Sequence, residues 1–205
     1  MKPLIVANWK MNPPSLQEAI TLFNAVKNTG AIICPPFVYL SALKANGAQD
    51  CFYEEKGAFT GEISPQMLKN LGVEYVILGH SERRKYQKET DATIKKKLIA
   101  ALAAGLKPIL CIDKISQLPK DVKEGFIVAY EPLFAIGTGK PCPPEQAEKM
   151  RLAIKKQVNS SVLYGGSVNS QNAADYIKKA HFDGLLVGGV SLKPKEFVDI
   201  VKIVC

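Results

Sequence analysis

The sequence is poor in several residue types that mark common function classes. It has only two histidines, His80 and His181, and its five cysteines, Cys34, Cys51, Cys111, Cys142 and Cys205, never form a Cys-x-x-Cys pair. An odd number of scattered thiols, far from either imidazole, makes neither a disulfide framework nor a zinc-ligand spacing. Reduced thiols, a reducing compartment and no metal are the expectation. No apolar run approaches the ~18–20 residues that cross a bilayer, which excludes a spanning helix. The opening stretch Met1–Ala7 turns polar at Asn8 and Lys10; it is too short for a secretory signal, so a cytoplasmic protein without membrane contact is expected. Arginine is scarce too. Arg83, Arg84 and Arg151 are the only three, so the formal net charge of +8 rests on lysine. Lys95–Lys97, Lys155, Lys156, Lys178, Lys179, Lys193 and Lys195 fall on helical patterns without interleaved aromatics, which reads as solvated helix faces rather than a nucleic-acid surface. A positive field would still steer an anionic substrate. Finally, no Gly-x-Gly-x-x-Gly follows the first apolar run, where a dinucleotide-binding fold would carry it.

What is present is regular alternation. With 205 residues, 47% hydrophobic and 22% charged, the chain has the material for one domain spanning 1–205. Short β-branched runs predict strands at Leu4–Trp9, Ala31–Cys34, Ala48–Tyr53, Val73–Gly79, Lys107–Ile112, Phe126–Tyr130, Ser161–Tyr164 and Gly184–Gly188. Between them, periodicity predicts helices at Ser15–Lys27, Phe37–Ala45, Ser64–Asn70, Asp91–Ala104, Pro144–Val158, Ser170–Lys179 and Lys195–Ile203. Ser15 with Glu18 three positions on has capping-box spacing, and Pro144 suits a first helical turn. Strands alternating with helices imply right-handed crossovers and a parallel sheet. Eight such units point to an α/β fold of the closed (β/α)8 barrel type, with an open doubly wound sheet as the alternative. Between the fifth and sixth strands lie only Asp113 to Gly125, thirteen residues cut by Pro119. That crossover helix is truncated to about two turns at most, and the barrel is near its minimal length.

Barrel enzymes build their sites at the C-terminal ends of the strands. Strand one ends with Asn8 and Lys10, strand four with His80, strand six with Glu131, strand seven with Gly165-Gly166-Ser167 and strand eight with Gly188-Gly189. Each has a plain structural reading, and it is their convergence on one rim that carries the argument. Glu131 follows an apolar strand, where desolvation would raise its proton affinity towards that of a useful base. His80 precedes Ser81-Glu82-Arg83, a helix start with Ser81 as its cap, and a helix N-terminus disfavours a protonated imidazole. Glycine-rich turns after strands seven and eight suit a phosphate held on backbone N–H groups. Pro132–Lys140 is apolar at one end and glycine-rich at the other, as a swinging lid requires. His181 enters strand eight from the opposite rim and reads as structural. Base, neutral electrophile, cation, phosphate site and lid equip the chain for proton abstraction beside a carbonyl in a small phosphorylated substrate.

The motifs Asn8-Trp9-Lys10-Met11-Asn12, Gly57-Ala58-Phe59-Thr60-Gly61-Glu62, Ile77-Leu78-Gly79-His80-Ser81-Glu82-Arg83-Arg84, Ala129-Tyr130-Glu131-Pro132, Ala135-Ile136-Gly137-Thr138-Gly139, Tyr164-Gly165-Gly166-Ser167 and Leu186-Val187-Gly188-Gly189 run in order through the chain. Together they resemble the triosephosphate isomerase family. The resemblance implies interconversion of dihydroxyacetone phosphate and D-glyceraldehyde 3-phosphate without cofactor or metal, in glycolysis and gluconeogenesis. It implies Glu131 as base, neutral His80 polarising the carbonyl, Lys10 stabilising enediolate and phosphate, and Asn8 near the reacting oxygens. Gly137, Ser167, Gly188 and Gly189 would hold the phosphate, and Ser81 and Glu82 would support the site, Glu82 as the partner of Lys10. The Gly57–Glu62 segment is similar to a docking loop that enters a second subunit, Thr60 nearing the partner's site and Glu62 pairing with the partner subunit's Arg83. A homodimer is therefore implied. The chain departs from the family pattern at Asp113-Lys114 and the short crossover, at Phe134 and Pro141 in the lid, and at Val190 by the phosphate loop. Two other readings stand beside this one: a different phosphate-binding barrel isomerase, which leaves the lid and the Gly57–Glu62 segment unexplained, and a catalytically impaired homologue with a binding role.

Overall fold

The computed structural model describes residues 2–205. Its centre is one eight-stranded parallel sheet in the order β2-β1-β8-β7-β6-β5-β4-β3. The strands are β1 (Leu4–Asn8), β2 (Ile32–Cys34), β3 (Gly47–Ala48), β4 (Tyr75–Leu78), β5 (Lys107–Ile112), β6 (Ile127–Tyr130), β7 (Val162–Tyr164) and β8 (Gly184–Val187). Cyclic order with β1 beside both β2 and β8 is that of a (β/α)8 barrel. The seam between β2 and β3 is bridged by side chains: Asn46 Oδ1 accepts the Ile33 N–H at 3.1 Å, and Gln49 Nε2 donates to the Cys34 carbonyl at 2.9 Å. Gly47 lets the two strands approach, because a Cβ there would lie 2.5 Å from Cys34 Sγ and 3.1 Å from the Ile33 carbonyl oxygen.

Strand side chains alternate between two cores. Val6, Ile32, Cys34, Ile77, Ile109, Cys111, Ala129, Leu163 and Leu186 fill the barrel interior. The alternate residues, among them Ile5, Ala7, Val76, Leu110, Val128 and Val187, pack outward against the helices. Advancing two residues from Val6, Ala129 and Leu163 brings Asn8, Glu131 and Gly165 to the barrel mouth. The same two-residue period that builds the core therefore aims the polar residues at the site.

The helices are α1 (Leu16–Val26), α2 (Leu40–Leu43), α3 (Pro65–Asn70), α4 (Ser81–Tyr86), α5 (Asp91–Ala103), α6 (Pro144–Lys155), α7 (Ala173–Lys178) and α8 (Pro194–Val204). Ser15 caps α1, its Oγ accepting the Glu18 N–H, and Ser64 and Thr90 cap α3 and α5 in the same way. Several expectations need correction. The third strand stops at Ala48 instead of Tyr53, because Asp50 turns into a buried ion cluster. The second helix is a 3₁₀ turn, Phe37–Tyr39, followed by one α turn. The segment Asp113–Gly125 contains no α-helical turn at all, only the 3₁₀ turn Ile115–Gln117. Ile115, Leu118, Val122 and Phe126 cover the strands there, leaving a cavity of about 270 Å³ against Ile94, Leu98 and Leu110. Lys97, read as part of a solvated face, is buried.

Candidate active site

Glu131 continues β6, its N–H donating to the Ile112 carbonyl at 2.8 Å. Its carboxylate is 4% exposed, with Oε1 3.2 Å from His80 Nε2. The Ser81 N–H donates to Oε2 at 3.4 Å. Glycine at 165 makes room for it, since a Cβ there would meet Glu131 Cγ at 3.0 Å. Burial pushes the Glu131 carboxyl up, but His80, the Ser81 amide and Lys10 more than offset this and hold it below the ordinary glutamate value. The expected upward displacement is thus reversed here by close cationic and N–H partners. Beside this carboxylate, burial and the Glu131 charge push the Cys111 thiol up, so it stays protonated.

His80 is itself the N-cap of α4, a correction to the expected role of Ser81. Its Nδ1 accepts the Glu82 N–H at 3.2 Å. An accepting Nδ1 carries no proton, so the ring proton sits on Nε2, the nitrogen 3.2 Å from Glu131 Oε1. Burial pushes the imidazole's proton affinity down, but the Glu131 and Glu82 carboxylates together raise it above the usual histidine value. The expectation of a depressed histidine is corrected for this arrangement: the carboxylate at 3.2 Å outweighs burial and helix terminus.

Lys10 lies in the left-handed backbone region, φ 54°, which costs a non-glycine residue about 1–2 kcal/mol. Its backbone is held on both sides. Its N–H donates to Asn8 Oδ1 at 3.0 Å, and Gln49 Nε2 donates to its carbonyl at 2.8 Å. Its ammonium meets Glu82 Oε1 at 2.5 Å, as expected for that pair. Ser167 repeats the arrangement: φ is 50°, its carbonyl accepts from Asn172 Nδ2 at 3.1 Å, and its hydroxyl donates to the Ala135 carbonyl of the lid. Two strained residues, each clamped by a neighbouring amide side chain, fall in the same cavity.

That cavity, about 420 Å³, is lined by Asn8, Lys10, His80, Glu131, Gly137, Ser167, Gly188 and Gly189 together. Every residue expected to touch substrate is there. Ser81 lines an adjoining cavity of about 520 Å³ that shares Lys10, Glu131 and Gly137 with it but does not reach His80 or the glycines after β7 and β8. The smaller space is the one that gathers the expected residues. Thr60 and Glu62 line neither cavity and are exposed. Gln49 and Asn172 were missed by the sequence reading, as were Asn169 and Lys193, which also line the cavity. The Asn169–Asn172 spacing signals a local turn, whereas nothing near Gln49 in sequence marks its reach to Lys10. Among the described residues no group of histidine, cysteine, aspartate and glutamate could hold a metal.

The lid begins with a 3₁₀ turn, Leu133–Ala135, whose Leu133 and Phe134 side chains are exposed. Gly137 and Gly139 have φ of 69° and 71°. At its far end the Cys142 peptide is held twice, its N–H donating to the Tyr164 hydroxyl at 2.9 Å and its carbonyl accepting from the Tyr176 hydroxyl at 2.6 Å. The arrangement can bind an anion on backbone amides, present a carboxylate and an imidazole to the same few atoms, and cover them.

Comparison with known proteins agrees. The triosephosphate isomerase family model matches residues 3–204. Triosephosphate isomerases of Alkaliphilus oremlandii and Endomicrobium trichonymphae are 39% and 40% identical to the chain, each alignment covering 98% of this chain and 98% of the relative. That of Aquifex aeolicus is 39% identical over 98% of this chain and 99% of its own. Alignments of about 245 positions against a chain of 205 residues require internal deletions here of about 40 positions, and the helix-free crossover is one place where length is missing. Likeness across nearly the whole length, with the expected residues gathered at one barrel mouth, places this chain in the triosephosphate isomerase family, as an enzyme that interconverts triose phosphates.

Proposed function

We propose that Glu131 is the base of this isomerase, His80 its electrophile, Lys10 its counter-charge, and Gly137, Ser167, Gly188 and Gly189 its phosphate site. In the free protein the carboxylate rests on His80 Nε2 and the Ser81 N–H. Substrate entry replaces it there: the carbonyl oxygen takes the Nε2–H, and Glu131 turns towards the adjacent carbon. Without those partners, burial governs the carboxyl and its proton affinity rises. Glu131 then removes the carbon-bound proton, and the electron pair moves onto the carbonyl oxygen as the enediolate forms. His80 Nε2–H and the Lys10 ammonium stabilise the developing charge. A hydroxyl proton passes between the two oxygens, and Glu131 returns its proton to the neighbouring carbon. Lid closure over Ile136 and Gly137 excludes water and holds the phosphate in place.

The observation that carries this reading is the 420 Å³ cavity lined by residues at the C-terminal ends of β1, β4, β6, β7 and β8 and by the lid. A coupled assay of triose phosphate interconversion tests it. Glu131→Gln is expected to lower kcat by at least ~10²–10⁴, the scale of general-base loss. Near wild-type turnover in that variant would mean that another group takes the proton.

We further infer that residues 1–205 act as one domain, in the cytoplasm, as a homodimer through the Gly57–Glu62 loop. Support for a reducing compartment comes from the cysteines, all of which are free. Support for the dimer comes from exposed apolar side chains that a lone barrel would leave in water. Met11 is 93% exposed and Val38 78%, and Phe59 at the loop packs at a tilt against Phe52 and is 41% exposed. Thr60, outside its own cavity, is free to approach the partner's site. Specific activity that stays constant down to concentrations where sedimentation shows only single chains would overturn the requirement for pairing.

A further inference from the structure

We propose that Asp113 is a positioning residue for the base: its carboxylate extends the β5–β6 ladder one rung past the strands and fixes the backbone that carries Glu131. The inference rests on the reading of Glu131 as base. The β5–β6 register ends with Ile112 opposite Tyr130, and the last main-chain rung is the Glu131 N–H on the Ile112 carbonyl at 2.8 Å. The next residue, Pro132, has no N–H to donate. The following donor, the Leu133 N–H, bonds to Asp113 Oδ1 at 2.8 Å. Glu131 and Pro132 are therefore strung between a backbone rung and a side-chain rung, both supplied by consecutive residues of β5 and its loop.

The truncated crossover provides this anchor. Gln117 folds back over the 3₁₀ turn, its Oε1 accepting the Asp113 N–H at 2.7 Å and the Lys114 N–H at 3.3 Å. That fixes the Asp113 backbone and with it the direction of its carboxylate. On the neighbouring side Arg84 ties the loop after β4 to β5, donating from Nε to the Gly79 carbonyl at 2.7 Å and from Nη2 to the Cys111 carbonyl at 3.3 Å. Packing does not do the same work for the lid's first residue, because the Leu133 side chain is 57% exposed. The hydrogen bond from its N–H is thus the contact that sets where the chain leaves the base. A displacement of about 1 Å at a reacting group can cost up to ~10² in rate, whereas a half-solvated N–H that loses its partner can turn to water with little loss of stability.

The test compares Asp113→Ala, which removes the acceptor, with Asp113→Asn, which keeps Oδ1. Alanine is expected to lower kcat by about 5- to 50-fold with KM within about twofold, and asparagine to restore kcat to within about twofold of the unaltered enzyme. A lid leaving Glu131 at the wrong angle also exposes the enediolate, so inorganic phosphate released per turnover should rise with alanine and not with asparagine, a readout that a purely structural role would not move. In the unaltered protein, the Leu133 amide should exchange with solvent well below the open-chain rate, a measurement that needs no variant to fold. The proposal is overturned by unchanged kcat with alanine, by a loss confined to KM, by asparagine as impaired as alanine, or by a Leu133 amide exchanging at open-chain rate. Should Glu131→Gln also leave turnover intact, the assignment of the base has failed; if Glu131→Gln abolishes it and Asp113→Ala does not lower it, only this inference falls.

Discussion

Replacing Lys97 with methionine would remove the centre of a buried charge cluster. The Lys97 and Asp50 side chains are 3% and 5% exposed, with Nζ 2.7 Å from Asp50 Oδ2 and 2.6 Å from Glu89 Oε1. Arg83 Nε reaches the same two oxygens at 2.8 and 2.6 Å. Two carboxylates thus face two cations. Methionine fills the lysine's space but leaves both carboxylates to one partly exposed guanidinium. Breaking a buried pair by deleting one partner costs about 3–5 kcal/mol, a large share of the ~5–15 kcal/mol that holds a domain folded. The pH dependence gives a second check. Burial raises the Asp50 carboxyl to about 6, with Glu89 adding and Lys97 and Arg83 opposing. Its folded value lies above its unfolded one, so its contribution is fully present below about pH 4 and is lost as pH rises through 6. Glu89 runs the other way: burial raises it, but Lys97 and Arg83 hold it below the ordinary value, so its contribution is lost as pH falls. Asp50's loss falls between about pH 4 and 6 and Glu89's change below the ordinary glutamate value, so the two overlap little. Without it both carboxyls move up, and stability should fall steeply between pH 5 and 7. Urea unfolding followed by circular dichroism at both pH values measures this. A deficit under about 1 kcal/mol at pH 7, or an equal deficit at pH 5, would refute the view that the lysine neutralises this cluster.

Two further outcomes follow from the site and the barrel wall. Lys10→Ala should raise KM and lower kcat together, each lost charge-assisted contact being worth about 1.5–3 kcal/mol, or roughly tenfold to a hundredfold; unchanged KM in steady-state kinetics would count against its contact with the phosphate. Amides of β5 (Lys107–Ile112) should exchange faster than those of β4 (Tyr75–Leu78), since the outer face of β5 borders the 270 Å³ cavity left by the helix-free crossover; equal protection by mass spectrometry would show the wall to be tight there.

The barrel was legible because its information is periodic and local. The two-residue alternation that puts Val6, Ala129 and Leu163 inside also carries Asn8, Glu131 and Gly165 to the mouth, so the rim residues could be read from strand endings alone. Three things were not legible. The third strand ends at Ala48 because Asp50 finds Lys97 and Arg83, partners 47 and 33 positions away, and no local pattern announces such a cluster. Lys97 itself sits among other lysines on a helical pattern, and only the fold shows that its turn of α5 faces inward. The cap of α4 went to His80 instead of Ser81, because an imidazole whose Nδ1 points along the chain can accept the Glu82 N–H as a serine would. That displacement by one residue has a chemical result, since the cap also decides which ring nitrogen keeps the proton.

The acid–base assignment is likewise a property of a state and not of residues. The sequence places a carboxylate at the end of an apolar strand and an imidazole at a helix start, and each alone would be pushed towards its neutral form. In the free protein they lie 3.2 Å apart, and each shifts the other: the carboxyl is lowered and the imidazole raised. On the proposed mechanism, a base so paired is a poor one, and it would become effective when something takes its place on Nε2. A carbonyl oxygen does this without bringing charge of its own, and then Glu131 keeps only Lys10 as an opposite charge and His80 only Glu82. Burial, masked in the free protein, becomes the dominant influence on both. The substrate's own carbonyl would therefore switch on the base that attacks the adjacent carbon, and the lid, anchored at Leu133 by Asp113 and at Cys142 by two tyrosine hydroxyls, would keep water from reversing that exchange.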